Sequence, residues 1–143
     1  MANQKISETA KLWYLDNFEE ILGKFKGHVD YDDILCTWIL IKKFHMPSTF
    51  FTKFACLLIC TPGDDITNLS AYSFYTDLNL ERLDGAQLNH LFDGDGYNPY
   101  KNLGYSRLSY HLEAFNPSYP IYNGDTILDI CQSVYHFLGK KWW

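Results

Sequence analysis

No stretch of this chain stays apolar for long. The two strongest runs, Ile34 to Ile41 and Phe54 to Cys60, fall well short of the roughly 20 residues that cross a bilayer, so no membrane span is expected. The amino-terminal MANQKISETAKLWYLDNFEE sets polar and charged residues where an export signal needs an unbroken apolar core, which leaves the cytoplasm as the expected compartment. Glycine and proline form no repeat, which excludes a fibrous chain. Cysteine is sparse: Cys36, Cys56, Cys60 and Cys131 each sit beside aliphatic or aromatic neighbours, as in DILCTW and LLIC. In a reducing compartment they read as small buried hydrophobes, not as a disulfide framework.

Signatures of chemistry are equally scarce. Asp93, Asp95 and Tyr97 alternate as in a calcium loop, but the sixth and twelfth positions, which need glycine and glutamate, hold Asn98 and Gly104. Cys56 and Cys60 have no nearby Cys or His pair to complete a zinc site. Gly94 and Gly96 lack the Lys-Ser/Thr of a phosphate loop, and there is neither an HExxH helix nor a nucleophile elbow. The basic residues are dispersed, with only Lys42-Lys43 and Lys140-Lys141 adjacent, so direct binding of nucleic acid is disfavoured. No catalytic residue, metal or cofactor is therefore expected. A small hydrolase remains as the enzymatic alternative, with Cys131 or Ser109 working beside His111 or His136, because such sites assemble in space.

What the sequence does have is apolar and aromatic bulk. With 47% apolar residues, 17% aromatic residues and 143 positions, one domain spanning 1–143 can bury a core without staples. From Ser7, a candidate cap, Ala10, Tyr14, Phe18, Ile21, Leu22 and Phe25 recur at helical spacing, and Gly23 and Gly27 weaken continuation. Asp30, Asp32 and Asp33 before Ile34, Leu35, Trp38, Ile41 and Phe44, with Lys42 and Lys43 behind, suit a helix dipole; the β-branched ILCTWILI run offers a strand instead. Ser48 is placed to cap a helix carrying Phe51, Phe54, Ala55 and Leu58. Residues 65–77 and 105–115 fit helix or strand equally well. Asp84 is placed to cap a short helix with Leu88 and Leu91, and Asp125 to cap the clearest helix, with Ile127, Ile130, Cys131, Val134, Phe137 and Leu138 inward. The expected fold is a mainly α bundle of several short helices, with a small β-hairpin or strand pair, and α+β as the alternative.

Charge is uneven along the chain. Residues 1–63 hold seven basic and seven acidic side chains, whereas residues 64–139 hold three basic and ten acidic ones. In the second part Asp93, Asp95, Tyr97, Tyr100 and Tyr105 combine carboxylates with rings. Such a set suits a partner-binding surface, since carboxylates attract a basic protein at long range and tyrosines add contact area at little entropic cost. Taken one at a time, the same residues also suit helix caps, turns and core packing. Trp142 and Trp143 pose a similar choice between folding back and meeting another chain.

The stretch GYSRLSYHLEAFNPSYPIYNGDTILDICQSVYHFLG, from Gly104 to Gly139, in a small acidic domain without catalytic motifs, resembles the bacterial immunity proteins of contact-dependent growth inhibition and other polymorphic toxin systems. The resemblance covers about a quarter of the chain and transfers no site. It implies stoichiometric binding to a cognate basic toxin domain, commonly a nuclease. A phage-encoded inhibitor of a host defence complex, of the anti-CRISPR kind, is the other binding role such acidity would serve.

Overall fold

The computed structural model describes residues 6–77, 80–85 and 98–140. The chain begins with the helix its spacing predicts. α1 (Glu8–Lys24) is capped by Ser7, whose Oγ accepts from the Ala10 N–H at 3.2 Å, and it buries Ala10, Trp13, Tyr14, Asn17, Phe18 and Ile21. Glu8 in the first turn and Lys24 in the last suit the helix dipole. Lys26 and Gly27 then take φ of +54° and +81° and reverse the chain, a conformation glycine meets at no steric cost.

Of the next segments, the one after Ser48 was expected to be helical, and 34–44, 65–77 and 105–115 fitted helix or strand; all four contribute strands to a sheet. β1 (Val29–Tyr31), β2 (Trp38–His45), β3 (Phe54–Cys60), β4 (Ser73–Asp77) and β5 (Tyr105–Arg107) pair antiparallel in chain order. With two α-helices beside this five-stranded meander, the fold is α+β, and the expected mainly α bundle is wrong. The reason is local. In β2 the register slips between Ile41 and Phe44, so Lys42 and Lys43 both face solvent. That irregularity sets the buried Ile41 and Phe44 three residues apart and imitates helical spacing. In β3 the consecutive Leu57, Leu58 and Ile59 are all buried. A strand covered on both faces loses the alternation that would identify it. Residues 65–77 contain a single 3-10 turn, Leu69–Ala71, followed by β4. After β5 the chain is irregular, tied to β4 by the Leu108 N–H donating to the Phe74 carbonyl at 2.8 Å. Asp84 lies in a turn, and Leu88 and Leu91 of the short helix it was expected to cap lie outside the described residues.

α2 (Ile127–Gly139) buries the six side chains its spacing selects. Its cap is Thr126, one residue beyond the expected Asp125. Thr126 and Asp129 exchange hydrogen bonds in a capping box, while the Asp125 carboxylate accepts from the Asn116 N–H at 2.8 Å and closes the turn before the helix.

Both helices cover the sheet face that carries Ile39, Ile41, Phe44, Leu57, Ile59 and Phe74. Phe25 meets Phe44 at the end of α1, and Tyr110 bridges Phe74 to Phe137 of α2. Two buried polar side chains fix α2 in place. Asn17 donates to the Trp13 carbonyl at 2.8 Å and accepts from the Ile127 N–H at 2.7 Å, satisfying one donor that the helix itself leaves open. At the other end, Arg82 reaches the carbonyls of Leu138 and Lys140. The opposite sheet face carries Trp38, Leu40, Leu58, Cys60, Tyr75 and Arg107.

Candidate protein-binding surface

Of the five residues expected to form an interface, Asp93, Asp95 and Tyr97 lie outside the described residues. Tyr100 and Tyr105 come together on the uncovered sheet face, but their rings are engaged in packing. Tyr100 sets its ring edge-on to Tyr75 with centroids 4.9 Å apart, and its hydroxyl lies 3.7 Å from the Cys60 sulfur. Tyr105 pairs across the sheet with Asp77, and burial, followed by the nearby Cys56 and Asp77, pushes its phenol up. Asn98 braces the pair: its amide donates to the Tyr105 carbonyl and its Oδ1 accepts from the Tyr100 N–H. These tyrosines roof the sheet.

Among the described residues, charge is uneven between the two ends of the sheet. Connections 32–37 and 61–72 meet at one end, where Trp38 of β2, Cys60 of β3 and Ser73 of β4 stand in register. They carry Asp32, Asp33, Asp64 and Asp65 and no basic side chain. The first turn of α1 joins them, because the Ser7 N–H donates to Asp64 at 2.6 Å and the Tyr14 hydroxyl donates to the Gly63 carbonyl at 2.7 Å. That contact brings Glu8 to the same end, together with Lys11, whose charge reaches the Cys36 thiol. At the opposite end, residues 24–28 and 42–53 contain Lys24, Lys26, Lys42, Lys43, Lys53, His28 and His45; Asp30 pairs with Lys42 at 2.9 Å, and segment 80–85, held to residues 49–51, adds Glu81, Arg82 and Asp84.

The acidic end is rigidly built. Asp32 accepts from the N–H groups of Ile34, Leu35 and Thr37 at 3.1 Å each and from the Thr37 hydroxyl at 2.7 Å. Burial pushes this carboxyl up, but the four hydrogen bonds, led by those from Thr37, outweigh it and hold the group below its ordinary range. Cys36 sits at φ +56°, and the Thr61 hydroxyl donates to its carbonyl while the Thr61 N–H donates to Thr37. The turn so fixed presents Ile34, 71% exposed, with Trp38, 37% exposed, beside it. A groove of about 390 Å³ adjoins them, lined by Ile6, Leu35, Thr37, Thr61, Pro62, Gly63, Asp64 and Ala71. An apolar tip and a half-open indole within a ring of carboxylates make a surface able to attract and then hold a basic protein.

Sequence reasoning passed over Ile34 and Trp38 because both read as core residues of a helix or of a buried strand. The available signal was the repetition of adjacent aspartates, Asp32-Asp33 and Asp64-Asp65, beside two apolar runs.

The arrangement for hydrolysis fares differently. Burial pushes the Cys131 thiol up to about 12, so at neutral pH it stays protonated and is a poor nucleophile beside His136. Burial likewise pushes Cys36 and Cys56 up to about 11. Cys56 and Cys60 lie four residues apart along β3, not one helical turn apart. Among the described residues no group of three metal-ligating side chains is close enough to hold an ion, and no helix is long and apolar enough to cross a membrane. No protein-family model matches the chain, and no curated protein or solved structure does either.

Proposed function

We propose that this chain is an immunity protein. It neutralises a cognate basic toxin domain, commonly a nuclease, by binding it one to one in the cytoplasm through the acidic end of its sheet. The observation that carries the reading is the hydrogen-bonded turn 32–37, which holds an exposed Ile34 and Trp38 among Asp32, Asp33, Asp64 and Asp65. A nuclease surface is basic because it must meet phosphates, so carboxylates competing for it gain association rate from charge. Lasting affinity comes from the apolar anchors once water is excluded. Because the turn is already fixed, little ordering entropy is lost on binding. No covalent step is involved.

The test begins with affinity capture from the native host and identification of the bound protein by mass spectrometry. Stopped-flow kinetics with that protein then separate the two contributions. Asp33→Asn with Asp64→Asn and Asp65→Asn should slow association and flatten its salt dependence, while Ile34→Ala and Trp38→Ala should each raise the dissociation rate about tenfold or more. Unchanged rates in both sets would remove the acidic end as the interface. Turnover of a substrate by the isolated chain, abolished by one nucleophile substitution, would remove the binding role itself.

A further inference from the structure

The end of the molecule opposite the acidic turn carries its own groove. It has a volume of about 430 Å³ and runs between the end of α1, the end of β2 and the outer side of α2, lined by Lys24, Phe25, Phe44, His45, Leu128, Cys131, Gln132, Tyr135 and His136. Its walls are aromatic. Phe25 lies 6.3 Å from Phe44, and His45 stacks on Tyr135 at 6.3 Å while meeting Phe54 edge-on at 5.6 Å. Lys24, exposed, stands on the rim, and the flanking segments 24–28 and 42–53 carry five lysines, which outnumber the nearby Asp30, paired with Lys42, and Glu81, while Asp84 is paired with Arg82. An occupant suited to this groove has a projecting apolar side chain set among acids.

The chain itself supplies that occupant. We propose that the protein associates head to tail, with the Ile34 turn of one copy seated in the aromatic groove of the next and Asp32, Asp33, Asp64 and Asp65 facing its lysines. Charge complementarity favours a second copy: the two ends of the same sheet bear opposite charge, and the acidic one carries an aliphatic side chain 71% exposed. The two surfaces differ, so the contact is heterologous. Each added copy leaves one turn and one groove open, so assembly proceeds to short chains or a closed ring and not to a twofold dimer. The acidic turn is also the surface assigned above to the basic partner, so the inference rests partly on that assignment, and partner binding and self-assembly exclude each other.

Sedimentation velocity on the full chain decides the matter. At about 0.05 M salt the wild-type weight-average sedimentation coefficient should rise with concentration, and raising the salt to about 0.5 M should weaken association about tenfold, since charge attraction is then largely screened. Lys24→Glu with Tyr135→Ala disables the groove; Ile34→Asp with Asp33→Lys disables the turn. Each variant alone should stay monomeric at concentrations where wild type assembles, and an equimolar mixture should give one-to-one dimers and nothing larger, because only one intact junction is available. The altered side chains are all exposed, and near-ultraviolet circular dichroism checks the folds; Lys24→Ala and Ile34→Ser serve where a double variant does not fold. A wild type that stays monomeric at low salt, assembly insensitive to both variants, or a mixture without dimers would overturn the proposal. Binding of the captured partner separates the two readings: the groove variant should bind it as wild type does, and the turn variant should not. Self-association lost with partner binding intact sinks only this inference, whereas assembly without partner binding sinks only the other.

Discussion

Replacing Arg82 should cost more stability than replacing any of the exposed charges. The residue is 2% exposed, and its guanidinium faces four different groups. Nε and Nη2 form a fork on Asp84 at 3.2 and 3.1 Å, Nη1 donates to the Lys140 carbonyl at 3.1 Å and, at 3.5 Å, to that of Leu138, and the carbon centre lies 5.7 Å from the Phe50 ring. The carbonyls matter most, because α2 ends there and a cation suits the negative end of its dipole. Hydrogen bonds from a charged donor contribute about 1.5–3 kcal/mol each, and the ring contact about 1 kcal/mol. The Asp84 side chain is 53% exposed, so its pair is screened and adds at most about 1 kcal/mol. Against these stands the cost of keeping a cation out of water, which Arg82→Met recovers in part. The expected net loss is about 2–3 kcal/mol for Met and about 3–5 kcal/mol for Ala, which also leaves a cavity. For Met this lowers the melting temperature by about 4–12 °C. Urea unfolding with an unchanged slope would report a stability change alone, and hydrogen exchange should show faster opening of residues 80–85 and of the last turn of α2. Arg82→Lys, which keeps the charge but not the fork, should fall between wild type and Met. An Arg82→Met protein as stable as wild type would refute this assignment of roles.

Asn17→Ala should destabilise by about 2–3 kcal/mol in urea titration, because the Ile127 N–H is left buried without its acceptor, whereas Asn17→Asp, which keeps an acceptor oxygen near a helix amino terminus, should cost less. Alkali should unfold the protein progressively: burial raises the phenols of Tyr14 and Tyr72 and lifts Cys131 to about 12, so the folded state binds protons that the unfolded state releases. Stability from these groups is complete below their ordinary values of 9.0 for the thiol and 10.0 for the phenols. It then falls by about 1.4 kcal/mol per pH unit for each group until its folded value is passed. Chemical unfolding between pH 8 and 11 measures this, and a flat profile would contradict it. Asp32 works in the other direction: its lowered carboxyl gives stability that is present above the ordinary value of 3.8 and lost as pH falls through the folded one. Asp32→Asn should therefore narrow the stability gap to wild type between pH 5 and pH 3, and a constant gap would count against the hydrogen-bonded turn.

How much of this was readable beforehand follows from how each segment is buried. α1 and α2 were legible because each packs one side against the sheet and leaves the other in water, which imprints a period of 3.6 on the apolar residues. β2 and β3 were not. The slip at Lys42 and Lys43 breaks the alternation in one, and burial of Leu57, Leu58 and Ile59 in succession removes it from the other. The packing of the two described tyrosines of the expected surface was hidden for a related reason. Tyr100 and Tyr105 have a composition suited to an interface, and nothing local to them says that β3 and β4 supply a face for them to cover.

The charge pattern along the chain differs from the one in the fold for a topological reason. In an antiparallel meander each connection lies at the end of the sheet opposite to the one before it, so alternate connections are neighbours while consecutive ones are not. Summing charge over a continuous half of the chain mixes the two ends. In the fold, 32–37 and 61–72 bring together four aspartates at one end, while the five lysines of 24–28 and 42–53 stand at the other, where Asp30, Glu81 and Asp84 offset them in part. A sequence whose strands had been recognised would have shown the acidic turn, and the exposed Ile34 would have stood out as an apolar residue with no face of the sheet to enter.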